Sequence, residues 1–435
     1  GIWLIDYANA IKIESDDEFG DLDDVSINGA TLNITNEDSF TLTRDSINEL
    51  AEGLSFKVAD TPSNVLRFYL AKEITEPGTY EVRGSVASGE ASWDASNFAG
   101  FYYDLNDNVE TESLSVSDLD GNVIGDGGLV YQTSIKEVAY EYENEDLGWE
   151  QYPVIGFFAE EYIPLKSSSA DKLAKLVLDS DDKYTVRTGE TLDLGEGYSL
   201  QAKQVDVDGE KVWLEFDKDG EYVDDEIIDV GTGDSTWDVE LDDIQDEDDV
   251  VVLKVHVNQV FQGAVDSIAQ IEGIWLIDYA NAIKIESDDE FGELDDVSIQ
   301  GDTLKISNSD TFTLTRDSDQ EIAEGMSFKI ADTATSDLRY YPFVERTVGN
   351  ETTNATEPSV GNVSVGDNVT TPTDNVTTPE TPEDLNATTP EATTPEEPTE
   401  ATNATGEEKE TSPGFGVVLG LVGLLGVVYL VRRNN

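Results

Sequence analysis

The chain is 435 residues long and carries 94 acidic against 25 basic side chains, a formal charge of −69. A field of that sign repels polyanions, which excludes nucleic acid as a partner, and it implies a medium whose cations screen the self-repulsion. With no cysteine and a single histidine, His256, the sequence also excludes disulfides, thiol chemistry, zinc-cysteine sites and any Ser-His-Asp arrangement that does not use His256.

Hydrophobic residues still make up 38% of the chain, with 6 Trp, 17 Tyr and 15 Phe, enough to build cores over residues 1–347. The first 14 residues, Gly1-Ile-Trp-Leu-Ile-Asp-Tyr-Ala-Asn-Ala-Ile-Lys-Ile-Glu, recur unchanged from Gly273, and the match continues at an offset of 272 with 48 of the first 60 positions identical. The differences fall mainly at polar or like-for-like positions, such as Asp21/Glu293, Asn28/Gln300, Leu50/Ile322 and Val58/Ile330. The match runs on through Leu66-Arg67-Phe68-Tyr69 against Leu338-Arg339-Tyr340-Tyr341 and then stops. Gly1 therefore reads as an internal position of a repeat, and the chain as a fragment or truncated product whose missing N-terminus would hold the rest of the first copy and a signal peptide. Residues 1–76 are assigned to the end of a first repeat and 77–347 to a complete second one. The second divides into a larger subdomain, about 79–265, and a smaller one, about 266–347.

The repeats read as all-β, in tandem β-sandwich subdomains. Alternating runs such as Ser39-Phe40-Thr41-Leu42-Thr43, Ser55-Phe56-Lys57-Val58 and Leu66-Arg67-Phe68-Tyr69 are bounded by turn residues. Asn28-Gly29 between two short apolar runs predicts a hairpin, and Asp219-Gly220 closes another. Trp93, Phe98, Phe101, Tyr102 and Tyr103 precede Asp104; they suit an aromatic-rich strand ending in a turn better than a hydrolase cleft, which needs a second, deprotonated carboxylate. Residues 170–176 are the one stretch with a helical pattern, through Ala170, Leu173 and Leu176.

Oxygen ligands at alternate positions occur around four turns, including the pairs Asp118/Asp120, Asp206/Asp208 and Asp217/Asp219. None completes the twelve-residue calcium loop, and Asp-Gly is also the ordinary hairpin turn, so no cofactor is required; weak binding of calcium or another divalent cation stays open. The run from Asp238 through Glu240, Asp242, Asp243, Asp246, Glu247, Asp248 and Asp249 is the densest acidic patch, read either as solvated surface or as the lining of a gap between neighbouring molecules. His256 alternates with Lys254 and Asn258 on one strand face, as a solvated or cross-strand-paired residue.

The tract 348–411 is rich in Thr, Pro and Glu and nearly devoid of large apolar residues, so it cannot offset the entropy of folding and is expected to be a disordered stalk. Seven N-glycosylation triplets crowd it, at Asn350, Asn354, Asn362, Asn368, Asn375, Asn386 and Asn403, while one more lies at Asn33. As a coil such a tract spans ~45 Å, and fully extended up to ~200 Å. Residues 412–435 hold Pro413-Gly414-Phe415, an apolar run over 414–431 and then Arg432-Arg433. The run sits at the lower end of the ~17 to 25 residues that cross a bilayer as a helix, and the arginines place the C-terminus inside and everything before it outside.

Four segments carry a family resemblance: Ala91-Ser-Trp93-Asp-Ala-Ser-Asn-Phe98-Ala-Gly-Phe-Tyr-Tyr-Asp104, Gly189-Glu-Thr-Leu-Asp-Leu-Gly-Glu-Gly-Tyr198, Gly273-Ile-Trp275 and Leu338-Arg339-Tyr340-Tyr341-Pro342-Phe343. Together they resemble the S-layer duplication domain of methanogenic archaea, in particular of the Methanosarcina group. The resemblance implies two β-sandwich subdomains per repeat and copies of the protein tiling the cell as a two-dimensional lattice with acidic pores. The ordered tail, Pro413-Gly414-Phe415 to Arg432-Arg433, is similar to the archaeal PGF-type sorting signal, which implies an archaeosortase-type enzyme, removal of the apolar segment and attachment of a lipid. The expectation is a non-enzymatic envelope protein, partnered by copies of itself, the membrane and the N-glycosylation machinery. A membrane-anchored adhesin or ligand-binding ectodomain is the alternative.

Overall fold

The structure is a computed structural model that describes residues 10–349, apart from 52 and 234. The stalk beyond residue 349, its seven triplets, the sorting signal and the apolar segment lie outside the described residues, while Val348, assigned to the stalk, ends a strand. Among those described, the chain is all-β, with short 3-10 turns and no α-helix.

The second repeat builds two cores. One sandwich pairs the sheet Asp296–Gln300, Thr303–Ser307, Leu129–Ser134, Ser113–Val116, Ala91–Asp94 with the sheet Ser318–Ala323, Met326–Ile330, Tyr340–Val348, Gly78–Arg83. Alternation drives this. In Met326–Ile330 the residues Met326, Phe328 and Ile330 point inward and are buried, while the Ser and Lys between them are not. Trp93 from the first sheet meets Phe328 and Tyr340 from the second at ring separations of 5.7 and 5.8 Å, so one aromatic cluster joins the layers. Gly78 pairs with Val348, bringing the two ends of the repeat side by side.

The other core is built mainly from residues 138–282, with Val109 joining it. Its central hairpin, Val250–Gln262 with Ser267–Ile277, is flanked by Thr236–Leu241, Leu176–Ser180 and Tyr184–Arg187. The four strands Thr191–Gly195, Tyr198–Asp206, Lys211–Lys218 and Glu221–Asp229 form a second sheet, and Lys136–Asn144 with Trp149–Phe157 begins a third. Gly273 belongs to this packing: a Cβ there would lie 2.8 Å from the Tyr142 ring, so only a glycine lets that ring sit on the strand.

Two expectations are corrected. Residue 265 is no subdomain boundary, because it lies in the turn of the central hairpin, whose strands pair from Leu253↔Leu276 to Gln262↔Ser267. The first core is discontinuous, drawing mainly on residues 82–131 and 285–344, with Ile155, Phe157, Ala170 and Leu173 added from the stretch that otherwise builds the second core. Residues 170–176 are not helical. They form Lys172–Ala174 and the start of Leu176–Ser180, and Leu173 enters one core while the adjacent Ala174 enters the other. Period-two burial into two cores overrides a helical spacing carried by three residues.

The first copy repeats the fold of 296–344 in the same register. Asp24–Asn28 pairs with Thr31–Thr35, and Ser46–Ala51, Leu54–Val58 and Phe68–Lys72 form a three-stranded sheet. What differs is the covering layer. Leu304 and Tyr340 are 0% exposed, whereas their counterparts Leu32 and Phe68 are 44% and 46% exposed among the described residues. The run Ser39-Phe40-Thr41-Leu42-Thr43 forms no strand in the first copy, although Phe312–Thr313 does in the second, where Val123–Ile124 offers a partner. Arg67 Nε donates to the Leu105 carbonyl at 2.9 Å and the Asp60 amide to Asn106 Oδ1 at 2.9 Å, tying the first copy to the second repeat.

Candidate functional site

The carboxylate pairs at turns lie in three separate places, and the structure brings no two of the pairs together. Asp118 is exposed with φ 51°, and its carbonyl accepts the Gly125 amide at 3.0 Å. Asp120 pairs with Val123 in the same short hairpin. Asp206 Oδ1 accepts the Gly209 amide at 3.0 Å, shaping the turn that Asp208 also occupies. Asp219 and Gly220, at φ 53° and 79°, form the left-handed pair of the predicted hairpin, and Asp219 faces Lys218 at 3.2 Å. Asp217 is half-buried beside Glu215, which raises its pKa after the larger effect of burial. Among the described residues no group of three acidic or histidine side chains is arranged to hold a metal.

Asp104 also serves a turn, accepting the amides of Asn106 and Asp107 at 2.7 and 2.9 Å. Trp93, Phe98 and Phe101 are core residues, at most 1% exposed. A cleft of about 550 Å³ opens where the first copy meets the second repeat, lined by Phe68, Tyr69, Arg83 and Tyr103 with Glu110 as its one carboxylate. The carboxylate pair of a glycosidase is not assembled there.

His256 is buried, not solvated. Its ring stacks on Tyr142 with centroids 4.8 Å apart, Nδ1 lies 3.3 Å from Ser235 Oγ, and burial depresses its pKa. Its neighbour Lys254 is also buried, bonded to Asp238 at 2.7 Å and held 5.4 Å from the Trp149 ring centre. The acidic run that precedes them, from Asp238 to Asp249, is braced by cations: Lys172 reaches Glu247 at 2.6 Å and Lys284 reaches Asp246 at 2.9 Å. Those pairs tie Asp246 and Glu247 of the patch back onto its own domain.

Two carboxylates escaped the sequence reading. Glu112, 3% exposed where the two cores meet, accepts hydrogen bonds from the Tyr102 amide at 2.7 Å, Tyr131 Oη at 2.8 Å and the Ala159 amide at 2.9 Å. Burial pushes its pKa up to about 7 although all three bonds pull the other way. Asp179, which accepts the Glu141 amide, is likewise raised to about 7 by burial. Asn33, the one described glycosylation triplet, is exposed on Thr31–Thr35 opposite Ser26.

One outward sheet face has a different character. Trp213, opposite Ile227 in the register, is 36% exposed; Ile227 and Tyr222 are 57% and 58% exposed. Asp225 holds the two rings, accepting Trp213 Nε1 at 2.7 Å and Tyr222 Oη at 2.6 Å. Lys203 pairs with Glu215 at 2.8 Å and Lys211 with Asp229 at 2.9 Å along its margin.

Paired sandwiches, an acidic composition and carboxylates committed to turns define an acidic all-β protein of β-sandwich repeats. The description "S-layer protein" fits a family model that matches residues 1–60 and 83–332, and the chain belongs to that family. Residues 412–434 match the PGF-CTERM motif. The chain is 82% identical over 439 residues to the "Major S-layer protein" of Methanosarcina barkeri (strain Fusaro / DSM 804), an alignment covering all of this chain and 65% of that protein. It is 70% identical over 440 residues to the "Major S-layer protein" of Methanosarcina acetivorans, covering all of this chain and 64% of the other. The chain thus spans about two thirds of the length of these relatives, falling just short of that share.

Proposed function

We propose that the chain is a structural subunit of a two-dimensional surface layer on the outer face of the cell, an acidic porous sieve tethered to the membrane through a glycosylated stalk. The observation that carries this reading is the family match over both repeats, joined to a PGF-CTERM motif at the tail. The β-sandwich repeats supply rigid walls, and a charge of −69 admits cations and small solutes while repelling large polyanions. The stalk sets the distance to the membrane, with sugars on Asn350, Asn354, Asn362, Asn368, Asn375, Asn386 and Asn403 holding it in water. An archaeosortase-type enzyme removes the segment after Pro413-Gly414-Phe415 and leaves a lipid in its place.

Electron micrographs of native envelopes, with antibody against this chain, test the layer: a periodic lattice labelled throughout is expected, and scattered low-copy molecules would return the reading to an adhesin. Intact mass of the mature protein tests the tail. The expected species carries sugar and lacks Arg432-Arg433; a species that keeps them retains its helix as the anchor.

A further inference from the structure

We infer that the outward face around Trp213 is a contact surface for a second copy of this chain. The inference rests on the layer-subunit reading and names where one of its contacts lies. Two copies that each carry −69 repel one another, so they can meet closely only where charge is already compensated. This face comes closest to that condition where its cations sit. Glu215 and Asp229 are matched by Lys203 and Lys211, Asp225 is held by two ring donors, and Asp217, beside Glu215, shares the field of Lys203.

The face also offers apolar surface. Beyond residue 77 the large hydrophobic side chains exposed among the described residues are Val86, Trp213, Tyr222, Ile227, Val265 and Ile283; three of the six lie together here. Buried aromatic anchors inside a polar rim contribute most of the affinity of protein contacts. The platform is rigid, because Val212, Leu214 and Phe216 on the opposite side of the same strand are 0% exposed, and Asp225 fixes both rings. Little side-chain entropy remains to be lost on docking. The contact uses the face and not the sheet edge. Glu221–Asp229 is the outermost strand of its sheet, and pairing it with its own copy about Asp225 would set Asp224 against Glu226 and Asp225 against Asp225.

The test uses the full 435-residue chain, which has no cysteine. Sedimentation equilibrium in high salt should show association that Trp213→Ala weakens roughly tenfold or more and Tyr222→Ala weakens in the same direction. Both variants should melt with the parent. A short bismaleimide should convert Ile227→Cys, and not Val265→Cys on its hairpin tip, into covalent dimers. Association unaltered by both alanine variants, or equal cross-linking at both cysteines, overturns the inference and leaves the layer reading standing. A parent chain that stays monomeric at every concentration and salt removes both. A soluble oligosaccharide bound by the parent and not by Trp213→Ala, without association, would assign the face to sugar and also overturn it.

Discussion

Glu112 is one of 94 acidic side chains, and nothing in its neighbours Thr111 and Ser113 marks it as buried. Its environment is assembled by Tyr102, Tyr131 and Ala159, which reach it from separate segments. Residue-level reading found what local geometry dictates, such as the Asn28-Gly29 and Asp219-Gly220 turns, and missed what distant strands impose, such as the burial of Glu112, His256 and Lys254. The consequence is a pH dependence of definite sign. The unfolded carboxyl ionises near 4.5 and the folded one near 7, so between these values the folded state binds more protons. Stability from Glu112 is therefore fully present below about 4.5 and is lost as pH rises through about 7, a difference of about 3 kcal/mol. Glu112→Gln places an amide NH₂ against one of the donating N–H groups and cannot titrate. Urea denaturation should find the variant less stable than the parent at pH 5, with the gap narrowing by up to about 3 kcal/mol towards pH 8. A gap that is constant with pH would show that Glu112 does not titrate in this range.

Nearly identical strands in two settings separate what an element inherits from its sequence and what its partners add. Leu54–Val58 and Met326–Ile330 share register and pattern, yet Phe328 is 0% exposed while its counterpart Phe56 is half-buried. Strand existence was legible because alternation is local; partner choice was not, which is why residues 39–43 fail to form the strand that 312–313 forms. The helical reading of 170–176 failed for a related reason, since no local pattern announces that neighbouring residues will feed different cores. Phe328→Ala should cost about 3 to 5 kcal/mol, because the ring leaves a cavity between Trp93 and Tyr340. Phe56→Ala should cost roughly 1 kcal/mol, since part of that ring already meets solvent. Native-state hydrogen exchange reads both in one molecule. Equal losses of protection at the two sites would mean that Phe56 is covered in solution as fully as Phe328.

At the scale of the whole molecule, composition foretold the acidic, disulfide-free character and local alternation the all-β one, whereas the discontinuous core escaped because its two main segments lie about 150 residues apart in the chain. The same composition sets how the protein answers to salt. Many of the ion pairs among the described residues join two exposed side chains, such as Lys175 with Glu160 and Arg187 with Glu190, and such pairs contribute little. The dominant electrostatic effect is then the mutual repulsion of unmatched carboxylates, which favours the expanded chain. Raising the ionic strength from about 0.01 to 1 M shortens the Debye length from ~30 to ~3 Å, screening repulsion across the surface while leaving close pairs such as Lys254 with Asp238 largely intact. The melting temperature should therefore climb steadily over that range, and equally for NaCl and KCl, because screening depends on ionic strength alone. Calorimetry across the series checks this. A melting temperature that is flat or falling would mean that the matched pairs, and not the unmatched carboxylates, govern stability. A curve that climbs further in CaCl₂ than in NaCl at equal ionic strength would add specific sites to screening, to be sought by neutralising Asp118, Asp120, Asp206, Asp208, Asp217 and Asp219 in turn.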